Sequence, residues 1–328
     1  MKVSVAICSY NGEKFIEEQL ESIIDQTRKV DEIILGDDNS SDHTVLLAEE
    51  VLKMSGINYK IIKNEKNLGV TKNFSNIMQF CTGDIVFTAD QDDVWRINKV
   101  ELVLDYFKQN PECVLVFSNG IVTDENLNPI GDLWESVNFT NDKRRMFKTE
   151  KYFDVLFSNN VVTGAAMAVR QCLINEILPL STDINILHDY WFALNAPLYG
   201  KIGMIDSPLF YYRQHGENVV GVQNNLIIHK IQRWIKAVRN MQGDSMTRIQ
   251  WSKMFYLHAE TIASKTDKNR IKAWIEFNIW RDGLKSKNLC KCVLSILYKK
   301  IIGDYSRFYN LKFAALQDIF ACIFRREK

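Results

Sequence analysis

Asp84-Ile85-Val86-Phe87-Thr88-Ala89-Asp90-Gln91-Asp92-Asp93-Val94-Trp95 sets an apolar run of strand length directly against three carboxylates within four residues. The run at Asp84–Ala89 reads as a buried strand, so the carboxylates fall where it leaves the sheet. Upstream, Lys72–Phe80 has helical spacing, Tyr59–Lys63 reads as a strand and Thr44–Met54 as a helix. Asp31–Gly36 reads as another strand. Glu13–Gln26 is a helix with Phe15, Ile16, Leu20, Ile23 and Ile24 at helical spacing, and Val3–Cys8 is the first strand. Downstream come a helix at Lys99–Lys108 and a strand at Cys113–Ser118. Strands separated by helices of about 10–15 residues predict βαβ units, hence a Rossmann-like α/β fold with a mainly parallel sheet flanked by helices. Ligands of such sheets bind beyond the carboxyl ends of the strands. Three polar clusters sit at those ends: Ser9–Gly12, Asp37–Ser41 and Asp90–Asp93.

From about 125 to 222 the pattern is less regular. Asp132–Lys148 is polar and reads as a loop with some disorder. Val161–Val169 reads as a buried strand interrupted by Gly164, and His188–Leu198 as a helix with a polar start. Past residue 222 the strand signals stop and the composition is helical. The 328 residues carry a net charge of only +1, unevenly spread. Residues 225–328 hold 21 Lys+Arg against 8 Asp+Glu, and the preceding residues hold 20 against 32. That asymmetry marks two domains, 1–222 and a basic helical region 223–328. Seven scattered cysteines argue against a disulfide framework, and Cys290-x-Cys292 lacks the second pair that a zinc site needs. The sequence starts without a signal-peptide pattern and reaches no membrane-spanning length, so a cytoplasmic protein is expected.

Close-set carboxylates repel one another unless a cation neutralises them, and hard divalent ions prefer oxygen ligands. Asp90 and Asp92 are spaced to meet one Mn²⁺ or Mg²⁺; the alternative is a solvated acidic turn. In Asp37-Asp38-Asn39-Ser40-Ser41-Asp42 a carboxylate can accept from a base N–H, while Ser40 or Ser41 can cap the next helix.

Taken in order, Val5–Gly12 (VAICSYNG), Ile33–Asp42 (IILGDDNSSD), Asn64–Asn73 (NEKNLGVTKN), Thr82–Trp95 (TGDIVFTADQDDVW), Thr163–Met167 (TGAAM), His188–Trp191 (HDYW) and Tyr212–Val220 (YRQHGENVV) resemble the family 2 glycosyltransferases of GT-A fold. DQDDVW followed by YRQHGEN resembles the rhamnosyltransferase branch, which builds bacterial surface polysaccharides. The resemblance implies a nucleotide-sugar half at about 1–100 and an acceptor half at 101–222. It implies that Asp38 contacts the nucleobase, that Ser9, Tyr10 and Asn11 line the nucleotide pocket, and that Lys72, Asn73, Asp90, Gln91 and Asp93 serve the nucleotide sugar. Asp90 and Asp92 are the D-x-D carboxylates, and His215 approaches the metal or diphosphate. Asp189 matches the catalytic base, which in isolation reads as a helix cap. Thr163, Gly164 and Trp191 line the acceptor side, although Gly164 also suits close packing and Trp191 also suits the core. The activity implied is inverting transfer of a sugar, dTDP-L-rhamnose or a UDP-hexose being the donor, onto a glycan or lipid-linked glycan.

In the basic region, Ile227–Met241, Val293–Ile302 and Phe313–Phe324 read as apolar or amphipathic helices with basic flanks. They suit a helical bundle, peripheral contact with the cytoplasmic face of a membrane, or both. No nucleic-acid recognition motif accompanies the charge. A sugar-nucleotide-forming nucleotidyltransferase is the rival class, but its Gly-rich basic loop is missing from SYNGEKF, residues 9–15. An inactive binding module would have no need of the full carboxylate set.

Overall fold

The computed structural model describes residues 1–180, 186–216, 249–286, 288–308 and 314–324. The chain divides into two compact units, residues 1–144 with 161–222, and residues 145–160 with 223–328. Residues 145–160 therefore fold with the C-terminal helices, although in sequence they lie among the strands.

The first unit is built on one mixed sheet: β1 (Val3–Ser9), β2 (Glu32–Asp37), β3 (Asn58–Lys63), β4 (Ile85–Asp90), β5 (Val94–Trp95), β6 (Cys113–Thr123), β7 (Pro129–Asp132), β8 (Met167–Arg170) and β9 (Lys201–Arg213). The order is β3-β2-β1-β4-β8-β6-β9-β5, with β7 beside β6. β3, β2, β1 and β4 are parallel, as the alternation of strands and helices requires. Helices α1 (Ile16–Ile24), α2 (Thr44–Ser55), α3 (Val70–Met78) and α4 (Lys99–Gln109) lie between consecutive strands in sequence. Val3, Val5 and Ile7, with Ile85, Phe87 and Ala89, join Ile16, Leu20 and Ile23 of α1 in one fully buried cluster. Each such side chain contributes roughly 1.5–3 kcal/mol by leaving water.

The register brings Ser9 beside Asp37 and Cys8 beside Asp90. The three polar clusters therefore share one edge of the sheet.

The second half departs from the sequence expectation. The segment at 161–169 is not a continuous strand: a 3₁₀ turn at Gly164–Ala166 precedes β8, which runs antiparallel to both β4 and β6. The segment at 132–148 is not a loop but holds α5 (Leu133–Ser136) and α6 (Asn141–Lys148). Asp132 caps α5 by accepting from Glu135 N at 3.1 Å, and Trp134 is buried with its Nε1 donating to Ser118 O at 3.2 Å. β9 was not anticipated either. Pro208 interrupts its pattern and falls at a register shift against β6. α8 (Gln171–Ile177) and α9 (His188–Tyr199) complete the unit.

In the second unit, α7 (Tyr152–Leu156), α10 (residues 249–262), α11 (Lys265–Asp282), α12 (Leu289–Ile301), α13 (Asp304–Phe308) and α14 (Ala314–Phe324) pack through aromatic side chains. Phe157 stacks on Trp274 at 4.4 Å, and Trp274 Nε1 donates to Phe157 O at 3.1 Å. Arg281 forms a bidentate pair with the buried Asp318, to which the Tyr305 hydroxyl also donates. The predicted helix at Ile227–Met241 lies outside the described residues.

Candidate active site

The acidic turn is fixed from the far end of the sheet. β5 pairs antiparallel with β9, Val94 opposite Tyr211. This brings the residues that close β9 back onto Asp92 and Asp93. The Arg213 backbone N donates to Asp93 Oδ1 at 3.2 Å, and its Nε donates to Asp92 O at 2.8 Å. Nη1 donates to Glu125 O at 2.5 Å, Nη2 pairs with Glu18, and the guanidinium lies 4.9 Å from the Phe15 ring centre. His215 Nε2 lies 2.7 Å from Asp92 Oδ2, with its ring 4.7 Å from that of Phe15. The structure thus brings Asp92 and His215 together. Among the described residues, no three His, Cys, Asp or Glu side chains are gathered closely enough to form a ready-made metal cage.

The electrostatics show what the turn lacks. Removal from water, then repulsion from Asp92 and Asp189, pushes the Asp90 carboxyl up to about 7. Asp93 is raised well above the usual carboxylate range by burial and by Asp92 and Asp90. Its Oδ2 is buried with no hydrogen-bond partner. Tyr212 lies within electrostatic reach of four carboxylates, its hydroxyl pushed up by burial and by repulsion from Asp93, Asp90, Asp92 and Asp189. Lys99 is fully buried near Asp93 and Asp90, and burial pulls its ammonium down to about 7. An excess of buried negative charge with an unpartnered oxygen is what a hard divalent cation would neutralise. Asp90, Asp92 and Asp93 supply oxygen donors of the right kind.

On the β1–β2 side, several predicted contact residues turn out to brace the edge. Gln91 Oε1 accepts from Tyr10 N at 2.8 Å and its Nε2 donates to Tyr10 O at 3.0 Å, tying the acidic turn to the first loop. A Cβ on Gly12 would come within 2.1 Å of Gln91 Oε1. Asn11, at φ 48°, accepts through Oδ1 from Ser41 N at 2.9 Å. Ser9 Oγ donates to Asp37 Oδ1 at 3.1 Å. The Asp38 carboxylate accepts from Asn64 Nδ2, Leu68 N and Gly69 N at 2.8–2.9 Å, which orders the loop before α3. Asn73 is buried, donating to Gly36 O at 2.7 Å and accepting from Asn64 at 3.1 Å. Tyr10, 48% exposed, and Lys72 remain open to solvent.

Asp189 lies in the first turn of α9, but the cap position belongs to Leu187. Its carboxylate instead accepts from Gly164 N at 3.0 Å through Oδ2 and from Tyr190 N at 2.6 Å through Oδ1. The helix-cap reading of this residue is therefore replaced by a carboxylate held from two sides. The 3₁₀ turn that supplies Gly164 is itself clamped: Thr88 Oγ1 donates to Gly164 O, and Lys99 Nζ donates to Ala165 O at 2.8 Å. Trp191 is 5% exposed and sits in the core, while Thr163 is half-buried.

The preceding His188 is buried and stacked on Phe74 at 4.0 Å, with no hydrogen-bond partner for either ring nitrogen. Burial pushes it down to about 3, so the ring is neutral at pH 7. A Cβ on Gly164 would lie 2.8 Å from His188 Nε2. Gly164→Ala is expected to cost about 1–3 kcal/mol by overpacking, to lower the melting temperature, and to reduce turnover by dislodging Asp189. A calorimetric melt and a rate measurement check this; an unchanged rate would mean that the turn does not act through Asp189.

Lys99, Arg213, Tyr212 and His188 were not singled out from the sequence. Lysine at the start of a helix reads as solvated, and Arg213 appears only as a neighbour of His215. Their roles depend on contacts 66 and 121 residues away in sequence.

The family profile described as Glycosyl transferase family 2 matches residues 4–178. An uncharacterized glycosyltransferase of Haemophilus influenzae is 27% identical over 230 residues, 68% of each chain. The UDP-Glc:alpha-D-GlcNAc-diphosphoundecaprenol beta-1,3-glucosyltransferase WfgD of Escherichia coli is 31% identical over 108 residues, 33% of this chain and 42% of that one. Among solved structures, S. aureus TarS in complex with UDP-GlcNAc superimposes with a TM-score of 0.60 at 15% identity, covering 100% of this chain and 93% of that one. The mannosyltransferase PcManGT from Pyrobaculum calidifontis, in complex with GDP-Man and Mn²⁺, gives 0.52 at 15% identity, covering 99% and 87%. At those identities the structural likeness speaks for the α/β GT-A-like fold.

Proposed function

Because the chain belongs to glycosyl transferase family 2, we propose that it is an inverting, divalent-cation-dependent enzyme that moves one sugar from a nucleoside diphosphate onto a glycan hydroxyl. The reading rests on one observation: Asp90, Asp92, Asp93 and Asp189 lie near enough for Asp92 and Asp189 to raise Asp90 and for Asp92 and Asp90 to raise Asp93, with a buried Asp93 oxygen left unpartnered. Asp90 and Asp92, with His215 beside them, would hold Mn²⁺ or Mg²⁺. When bound, the ion supplies a Lewis acid that offsets the charge on the departing diphosphate.

The remaining steps belong to the chain. Asp189 takes the proton from the acceptor hydroxyl as that oxygen attacks the anomeric carbon. The Gly164 and Tyr190 N–H groups keep the carboxylate oriented for this. Attack on the face opposite the leaving group inverts the centre, so no enzyme nucleophile is needed. Tyr10, Asp38 and Lys72 line the nucleotide side, with Ser9, Asn11, Gln91 and Asn73 bracing it. Thr163 and Gly164 border the acceptor side. The donor is dTDP-L-rhamnose, a proposal supported by the DQDDVW and YRQHGEN stretches, with UDP-hexoses next. The acceptor is a lipid-linked surface glycan, met in the cytoplasm at the inner membrane face. The basic balance of residues 225–328 supports that placement.

A thermal-shift panel of sugar nucleotides with Mn²⁺ tests the reading. At a hundredfold excess over Kd, a ligand stabilises by about 2.7 kcal/mol, a rise of several degrees. dTDP-rhamnose is expected to give the largest shift. A larger shift with a UDP-sugar reassigns the donor, and no shift with any sugar nucleotide removes the function.

A further inference from the structure

α12 presents apolar side chains on two opposite faces. Cys292 and Ile296 point inward and are fully buried. On the other side Leu294, Leu297, Tyr298 and Ile301 are 67%, 44%, 61% and 83% exposed. Their spacing of three, four and seven residues places them in one stripe along the helix. Lys291 and Lys300, both exposed, flank that stripe on either side. Lys299 is tied to Asp304 at 2.6 Å. The helix contains no acidic residue. A run of exposed leucine, isoleucine and tyrosine is not a neutral surface on a water-soluble protein.

We propose that this outward stripe of α12 docks on an anionic lipid surface, its leucines and Ile301 entering the headgroup boundary while Lys291 and Lys300 meet the lipid phosphates. The inference rests on the reading above that the enzyme works at a membrane, and names the element that holds it there. Charge selects this occupant. An apolar stripe flanked by lysines, without a carboxylate, matches an interfacial helix on acidic lipid. A protein partner would need its own acidic rim, and a second copy of α12 would set lysines against lysines. The helix lies on the surface rather than through it. Its 13 residues fall short of a span, and no helix among the described residues is long and apolar enough to cross a membrane.

The test is co-sedimentation of the full chain with phosphatidylglycerol/phosphatidylcholine vesicles and with phosphatidylcholine alone. The wild-type chain is expected to partition onto the anionic vesicles and to come off in high salt. Leu294→Ser/Leu297→Ser/Ile301→Ser is expected to lower partitioning at least tenfold, and Lys291→Gln/Lys300→Gln several-fold. Both should keep the wild-type melting temperature and donor-hydrolysis rate, because the changed side chains are exposed and outside the catalytic machinery. Ile301→Asp, a single change at the most exposed position, gives the same answer if the triple variant folds poorly. Wild-type binding that survives all three sets of substitutions overturns the α12 assignment and leaves the membrane reading standing. Failure of the wild-type chain to bind anionic vesicles overturns both. Loss of self-association with unchanged lipid binding would make the occupant a second copy and overturn the lipid assignment.

Discussion

Asp189→Asn is expected to slow sugar transfer by about 10²–10⁴-fold, the usual worth of a positioned general base, while leaving nucleoside-diphosphate affinity within a few-fold of wild type. The substitution keeps the size of the side chain and removes its basicity. It also disturbs the local hydrogen bonding in a defined way. Both carboxylate oxygens accept from backbone N–H groups, Oδ2 from Gly164 and Oδ1 from Tyr190. An amide can accept from only one of them and must turn its NH₂ toward the other. A buried donor facing a donor costs about 1–3 kcal/mol, so a lower melting temperature accompanies the loss. Asp189→Ala removes the base in a different way, leaving both N–H groups without this acceptor instead of setting a donor against one of them. If the rate falls equally in both variants while their melting temperatures differ, the rate loss belongs to the base and not to the disturbed turn. Steady-state transfer rates and calorimetric titration of the nucleotide with Mn²⁺ make the comparison. Full activity in either variant removes Asp189 from the chemistry.

The sequence made the first half of the molecule legible because β1, β2 and β4 are buried almost throughout and are separated by helices of ordinary length. Val3–Ser9, Glu32–Asp37 and Ile85–Asp90 are short apolar runs that end in polar residues. A parallel sheet with its site beyond those ends follows from the pattern alone. The second half obeys different rules. β9 carries Gly203, Asp206, Ser207 and Pro208 within thirteen residues, and its register against β6 shifts to accommodate them. The segment from Asp132 to Lys148 is polar in composition, yet Leu133, Trp134, Phe139 and Phe147 within it are buried. A few side chains, Trp134 above all, anchor it.

The site divides in the same way. Carboxylates announce themselves by clustering, and His215 by its place in a familiar stretch. Lys99 and Arg213, which fix the turn that holds Asp189 and the turn that carries Asp90–Asp93, act through backbone oxygens that no sequence pattern marks. Gln91, Asn11 and Asn73 show the converse. They were expected on the nucleotide-sugar side, and in the structure their amides bond backbone groups at the sheet edge. A polar side chain near a strand end is needed there whether or not a ligand is present, since buried backbone groups must find partners.

Asp92→Ala is expected to abolish transfer as Asp189→Asn nearly does, but with the opposite binding signature. The variant should lose the Mn²⁺-dependent part of its nucleotide affinity, about 10–100-fold by analogy with the loss of a group supporting a metal, and chelation should then change its affinity little. The contrast follows from position. Asp189 is held by Gly164 and Tyr190, whereas Asp92 meets His215 and adds to the repulsion that lifts Asp90 and Asp93. That repulsion also fixes the effect on stability. Without a cation, each carboxylate in the turn raises the cost of ionising the others, so removing one relieves strain that the metal would otherwise offset. In chelator, Asp92→Ala should therefore melt no lower than wild type, despite losing the His215 contact; in Mn²⁺ with nucleotide, it should melt lower. A variant destabilised equally under both conditions would mean that Asp92 is a structural partner of His215 and no ligand. A variant that keeps its manganese-dependent nucleotide binding would shift the ion to Asp90 and Asp93. The two melts and one titration decide among these, and none of them requires the acceptor to be known.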